Sequence, residues 1–549
     1  MLIAAWSEFL GANTRLTAKR LPEGVGVFAI NLRLGSADLR PWNTAQTVVT
    51  TGGLTPLISA YRMGRSTPSD TANWLQWTTD VDVARSLIGN DTTEEFYYTG
   101  DGIPKRSNTT LALPGAPGPA ASRSLGIPKP AAAMTATVLA AGTGTSQSRV
   151  YVDTYVNDQG RESAPGTART LSCLGGSTVT LGSLDTTPTS GYPDVTLRRI
   201  YCSTDGGSYL RVLEQAVATT TATDNLARGT VLPSGGDTSK PAWEMPPTNL
   251  AGLTGLWNGM IGGFFGKTYT VCEPNKPWAW PVEYQETVLD DIVGTGKWQN
   301  NWLILTNAQP YLVSGSSPLN MNNTPIEFLQ SCVSKRSIVS MGHGVCWASP
   351  NGLCYMGQNG ARLLTDSLMT PEQWGTLAPS TMIGARFENY YLGFYDDGTG
   401  PIKAFSIDPL NPSGIVTITQ GARGRYFDPV SERLYLQDVG NVIRRWHYPN
   451  ASGFQAWFKT GIKRAASMTN PGCAMVIADA PVSVTVTIWA NVLQASGALA
   501  WTQVFARTVT TGEMFALPSG YLAQEYQAQL TTSGPVNALL LAEEPADLI

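Results

Sequence analysis

A chain of 549 residues carrying 37 basic and 41 acidic side chains, net charge -4, has room for about three or four domains at roughly 150 residues each. Its charge is too evenly balanced for a broad nucleic-acid-binding surface. Charged residues make up only 14%, against about 25% in ordinary soluble chains, and Gly and Pro number 56 and 36, above their usual combined share of about 12%. That mixture argues against a helical protein and for many short strands joined by tight turns. Seven cysteines with no CxxC pair fit neither a disulfide framework nor a structural zinc site, and predict free, buried thiols.

The N-terminus, MLIAAWSEFLGANTRL, lacks a basic n-region and breaks its apolar run at Ser7 and Glu8, so it reads as no signal peptide. Strand series follow at 25–41, 57–64, 73–86 and 95–106, and residues 1–111 are expected to contribute propeller blades. Pro recurs at 114, 117, 119, 128 and 130, which a helix or central strand does not tolerate. Residues 112–130 therefore read as an extended linker. Beyond it, VYVDTYVNDQG (150–160) alternates and turns, and LRRIYCSTDGGSYLRVLEQ (197–215) is strand, Asp-Gly-Gly turn, strand. A second Pro-containing stretch spans 232–247. Short strands between two such stretches predict a β-sandwich over 131–245, and Pro-rich junctions predict that it can be excised without unfolding the rest.

From 246 to 470 a repeat emerges. Apolar hairpins begin at Met260, Leu303, Val345, Tyr390 and Leu434, about 42–45 residues apart, the period of a four-stranded propeller blade. The apolar stretch Cys473–Leu493 contains Asp479 and Pro481 and then alternates at Val482, Val484, Val486 and Ile488. That is strand periodicity and not a membrane span. Residues 471–549 are expected to form a small C-terminal β-domain. The predicted fold class is all-β: a β-propeller with an inserted β-sandwich and that terminal domain.

Little here carries chemistry. The two histidines, His343 and His447, lie on different predicted blades, which leaves no three-histidine metal site. There is no GxSxG elbow and no phosphate-cradling GxxxxGK[ST]. The acidic pairs Glu94–Glu95, Asp290–Asp291 and Asp396–Asp397 are sequence neighbours, and neighbours on a strand point to opposite faces, whereas glycosidase carboxylates face each other across about 5–10 Å. Trp278 and Trp280, in NKPWAWPVEY, are candidates for a subunit or fibre interface or a sugar-stacking platform, with packing between blades as the plainer reading. Arg outnumbers Lys 26 to 11, a composition found in protein–protein interfaces. No catalytic, cofactor-binding or metal residue is expected, and no cofactor.

Five segments taken together resemble the tail nozzle proteins of short-tailed, podovirus-like bacteriophages: RLPEGVGVFAINLRLGSADLRPW (20–42), WLQWTTDVDVARSLIGNDTTEEFYYTGDGIPKRSN (74–108), PPTNLAGLTGLWNGMIGGFFGKTYTVCEPNKPWAWPVEY (246–284), SKRSIVSMGHGVCWASPNGLCYMG (334–357) and FALPSGYLAQEYQAQL with LLLAEEPADL (515–548). The region 131–245 is similar to a fibronectin-III/Ig-like insertion. The resemblance implies a structural virion protein made in the bacterial cytoplasm and built into the tail. It implies a homo-oligomer, usually six copies, beneath the portal and its adaptor protein. Tail fibre, spike or plug proteins would lie beyond it, and double-stranded DNA would meet it only in transit through an axial channel. It implies no catalysis, no membrane span and no transferable channel-lining residues. The alternative reading is a carbohydrate-binding or glycoside-processing propeller.

Overall fold

The computed structural model describes residues 2–548 apart from 51–53, 55, 65–68, 90, 116–117, 187, 189–191, 227–242 and 439. The chain forms two compact units, one made of Met1–Ala72, Gly296–Leu312 and Pro325–Ile549, the other of Asn73–Thr295 and Val313–Thr324. Strands dominate both, and the described helices are single turns. The fold is all-β, made of four-stranded antiparallel propeller blades, an inserted sandwich and a terminal β-domain.

The second unit holds two such blades. One runs Asp82–Arg85, Phe96–Thr99, Lys105–Ser107, Arg123–Ser124, each strand pairing with the next. The other runs Ala251–Gly255, Ile261–Phe265, Thr268–Val271, Glu286–Thr287. In the latter, Phe265 pairs with Thr268 across a two-residue loop. Gly266 there takes φ 55°, which the strand twist demands of such a tight hairpin. The expected linker 112–130 is partly structural. Thr109–Ala112 is one helical turn capped by the Asn108 side chain, and Arg123–Ser124 is the outer strand of the first blade. Leu125 and Ile127 are buried. The prolines confine pairing here to an edge but do not prevent it.

The sandwich lies between these blades in sequence. A three-stranded sheet (Thr135–Ala140, Thr178–Gly182, Ala222–Asp224) faces a four-stranded one in the order Arg169–Leu174, Ser146–Asn157, Val195–Thr204, Leu210–Ala216. Its core is Met134, Tyr151, Val179, Leu181, Ile200, Cys202 and Val212 with their neighbours, supplied by period-two alternation. The 227–242 part of the second Pro-containing stretch lies outside the described residues.

The first unit holds the blades Val339–Leu363 and Ile383–Ile418, and a third made of Gly424–Asp428, Arg433–Gln437 and Val442–Arg445 that is completed by Gln46–Thr50 from near the N-terminus. The terminal β-domain is larger than the expected 471–549. Leu2–Trp6 pairs with Ala538–Ala542, and Gly26–Ile30 pairs with Ala456–Thr460. Leu2–Trp6 therefore builds the terminal domain, and Gly26–Ile30 joins that domain to a blade, since Ile30 also pairs with Thr417 at the edge of Ile383–Ile418; this narrows the assignment of all of 1–111 to the propeller. The apolar stretch at 473–493 is two strands, Cys473–Ile477 and Ser483–Leu493. Val484, Val486, Ile488 and Ala490 fill the core on one face of the second. No helix of the described residues is long and apolar enough to cross a membrane.

Candidate functional site

All seven cysteines are free and buried. Burial pushes the Cys272 and Cys354 thiols up to about 12, so they behave as small apolar side chains and not as nucleophiles. Among the described residues no group of three His, Cys, Asp or Glu could hold a metal ion.

The predicted tryptophans have different fates. Trp280 is fully buried, packed with Ala84, Tyr97, Leu125, Leu253 and Ile261, and its Nε1 donates to the Pro277 carbonyl at 2.8 Å. A ring with no exposed face cannot stack a sugar or anchor a partner, so Trp280 is corrected to a core residue. Trp278 is half-buried against Ile127, Tyr155 and Val195. It donates to the Glu162 carbonyl at 3.0 Å, and the Arg161 guanidinium lies 5.0 Å from its ring centroid. Both tryptophans thus serve contacts inside their own unit.

Beside Trp278 lies a buried ionic network that the sequence did not announce. Arg106 of the first blade reaches Glu95 at 3.2 Å and Asp194 of the sandwich at 2.6 Å; Arg161 of the sandwich reaches the other oxygen of Glu95 at 2.5 Å. The Tyr97 hydroxyl donates to Glu95 at 2.8 Å, and burial followed by the nearby Glu95 charge keeps that hydroxyl protonated. Glu95, half of an acidic pair considered for catalysis, is committed here, while Glu94 sits half-buried in a left-handed turn at φ 51°. Asp397 is likewise turn-bound, accepting from Lys403 and Thr399, which together hold its carboxyl down at about 2. The sandwich interior holds two further buried pairs, Arg149–Asp224 at 3.6 Å and Arg198–Asp153 at 3.0 Å. Much of the arginine surplus is therefore spent on internal ion pairs, where a planar fork with a weakly hydrated charge suits burial better than lysine.

Both histidines are packed. His343 Nδ1 lies 2.9 Å from the Tyr355 hydroxyl. His447, in left-handed backbone at φ 49°, accepts from the Asn43 N–H at 3.0 Å and meets Trp42 edge-on at 5.1 Å. Burial first, then the Arg33 charge, lower its imidazole to about 4. It borders a cleft of about 730 Å³ in the first unit, whose charged lining includes Arg386, Arg433 and Arg445. Sequence reading missed this cleft because its arginines come from two blades.

No family profile and no curated protein matches this chain. Solved structures with a likeness include the CNH domain of AfRom2 (10% identity, TM-score 0.24, 72% of this chain and 98% of that one). Another is BBS1N in complex with ARL6DN (8%, 0.29, 74% and 98%). A third is apo AztD from Citrobacter koseri (11%, 0.27, 68% and 100%). At such TM-scores these likenesses carry no argument about this chain, and the fold stands on its own sheets.

Proposed function

We propose that the chain is a structural virion protein, a subunit of the nozzle of a short bacteriophage tail. It would act in a ring of six copies between the adaptor and the fibre, spike or plug proteins, and guide DNA outward without chemistry. The observation that carries this is the collinear set of resembling segments at 20–42, 74–108, 246–284, 334–357 and 515–548. The described architecture is compatible. Buried arginine–carboxylate pairs brace the sandwich and tie it to a blade, as suits a part that bears load. The net charge of -4 suits a conduit, because each Lys or Arg set against a phosphate adds a salt-dependent contact that would retain DNA. The carbohydrate-processing alternative loses one of its two stacking residues, since Trp280 has no exposed face.

Light scattering and negative-stain imaging of the full chain, alone and with the adaptor, test this. Rings of about six copies with a central hole support it. A monomer that ignores the adaptor overturns it.

A further inference from the structure

The hairpin tips around 387–390 and 428–433, together with residues 445–449, enclose the arginine-lined cleft of the first unit. Arg433 and Arg445 share one carboxylate, Asp70, at 3.5 and 4.0 Å, to which the Tyr435 hydroxyl also donates at 3.2 Å. Two guanidinium groups against one carboxylate leave positive charge over. Arg386 has no carboxylate in ion-pair range among the described residues; its Nε donates to the Glu388 carbonyl at 3.2 Å, and its guanidinium rests 5.7 Å from the Phe427 ring centroid.

The acidic residues of the lining do not cancel this set. Both Glu388 oxygens accept from Arg33, at 2.7 and 2.8 Å, and Glu432 is exposed. Four guanidinium groups thus meet three carboxylates around one cavity. The field is felt by both histidines: after burial, Arg33 lowers His447 and Arg386 lowers His343. The volume lies within the range of small-molecule sites and exceeds what a bare oxyanion fills. Phe427 and His447 add ring surface beside the charges.

We propose that this cleft binds a phosphate group, free or carried by a small molecule, gripped by Arg386 with Arg433 and Arg445. Guanidinium forks match phosphate oxygens two at a time, which a lysine cannot do. A small phosphoester would place its remaining atoms against Phe427 and His447. Double-stranded DNA presents its phosphates on a thick rod, so competition with a duplex distinguishes a small phosphate ligand from the nucleic-acid backbone. Binding there is independent of whether the chain assembles into a nozzle.

Calorimetric titration of the full-length chain with inorganic phosphate, glucose 1-phosphate and adenosine diphosphate tests the site, with a short DNA duplex as competitor. Saturable binding of at least one of the three is expected, weakened about tenfold or more in Arg386→Ala and Arg445→Ala, since each removes charge-assisted hydrogen bonds. Arg386→Lys should lie between, and the exposed Arg507→Ala should bind as the native chain does. Arg386 is half-exposed and fixes no buried partner, so its variants keep the native circular dichroism. Tighter binding of an ester than of inorganic phosphate marks a phosphorylated small molecule as the ligand; equal or weaker binding marks free phosphate. Absence of saturable binding, unchanged affinity in Arg386→Ala, or displacement of the ligand by the duplex overturns the assignment.

Discussion

Arg106→Met removes the centre of the network that ties the sandwich to its neighbouring blade. The methionine keeps most of the aliphatic stem and its packing but withdraws two ion pairs, at 3.2 Å to Glu95 and 2.6 Å to Asp194. Glu95 retains Arg161 and the Tyr97 hydroxyl. Among the described residues Asp194 retains only a long contact from the Asn157 amide at 3.4 Å, so a buried carboxylate is left almost unpaired. Removing one partner of such a pair costs about 3–5 kcal/mol, most of it the penalty of the stranded charge. A chain of two units does not unfold in one step, so the readout is local: amide hydrogen exchange along Ser146–Asn157 and Val195–Thr204. Protection there should fall by a factor of about 100 or more. Adding Asp194→Asn removes the stranded charge, and the double variant should recover more than half of the loss, about 2–3 kcal/mol. A loss under about 1 kcal/mol, or a double variant no better than the single, would refute the claim that stranded charge dominates.

Trp280→Ala should cost about 3–5 kcal/mol by opening a cavity in a closed core, and Trp278→Ala clearly less, measured by amide hydrogen exchange of the strands around each site. Burial raises the Asp153 carboxyl to about 6, above its unfolded value. The folded state therefore holds the extra proton, and this group's contribution declines as pH rises from about 4 to 7, by about 2–3 kcal/mol. Asp153→Asn should flatten that slope in sandwich stability against pH, and an unchanged slope would show the carboxyl ionised throughout. His447, lowered to about 4, stabilises the fold above its unfolded pKa and loses that contribution as pH falls toward 4. Its imidazole C2 proton should titrate in nuclear magnetic resonance with a midpoint well under 6; a midpoint near 6.5 would contradict the burial argument. Excising 131–245 should destabilise the neighbouring blade, against the sequence-based expectation, and intact proteolytic resistance of the remainder would reverse that.

The excision illustrates which features a sequence displays. Proline runs announce where regular pairing weakens, and they do flank the sandwich. They say nothing about what crosses the junction in space. Glu95 and Arg106 stand 66 and 88 positions before Arg161 and Asp194, and no local pattern marks a pair held together only by the tertiary fold. Alternation within a strand was legible, as at Val484, Val486 and Ile488, because period two is local. Which strands join which sheet was not. Leu2–Trp6 and Gly26–Ile30 have the composition of blade strands, yet they pair with strands near the other end of the chain.

The same distinction separates the two uses of arginine. A surplus of 26 over 11 lysines is compatible with subunit interfaces, nucleic-acid contacts or internal ion pairs, and composition cannot choose among them. Burial and partners can. Arg106, Arg149, Arg161 and Arg198 are buried beside carboxylates, where charge is neutralised and the gain is rigidity. Arg386 is half-exposed with no carboxylate in ion-pair range among the described residues, and it lines the same cleft as two arginines that share one. Only an arrangement of that second kind keeps uncompensated charge facing a cavity, so the ligand hypothesis rests there and not on the arginine count.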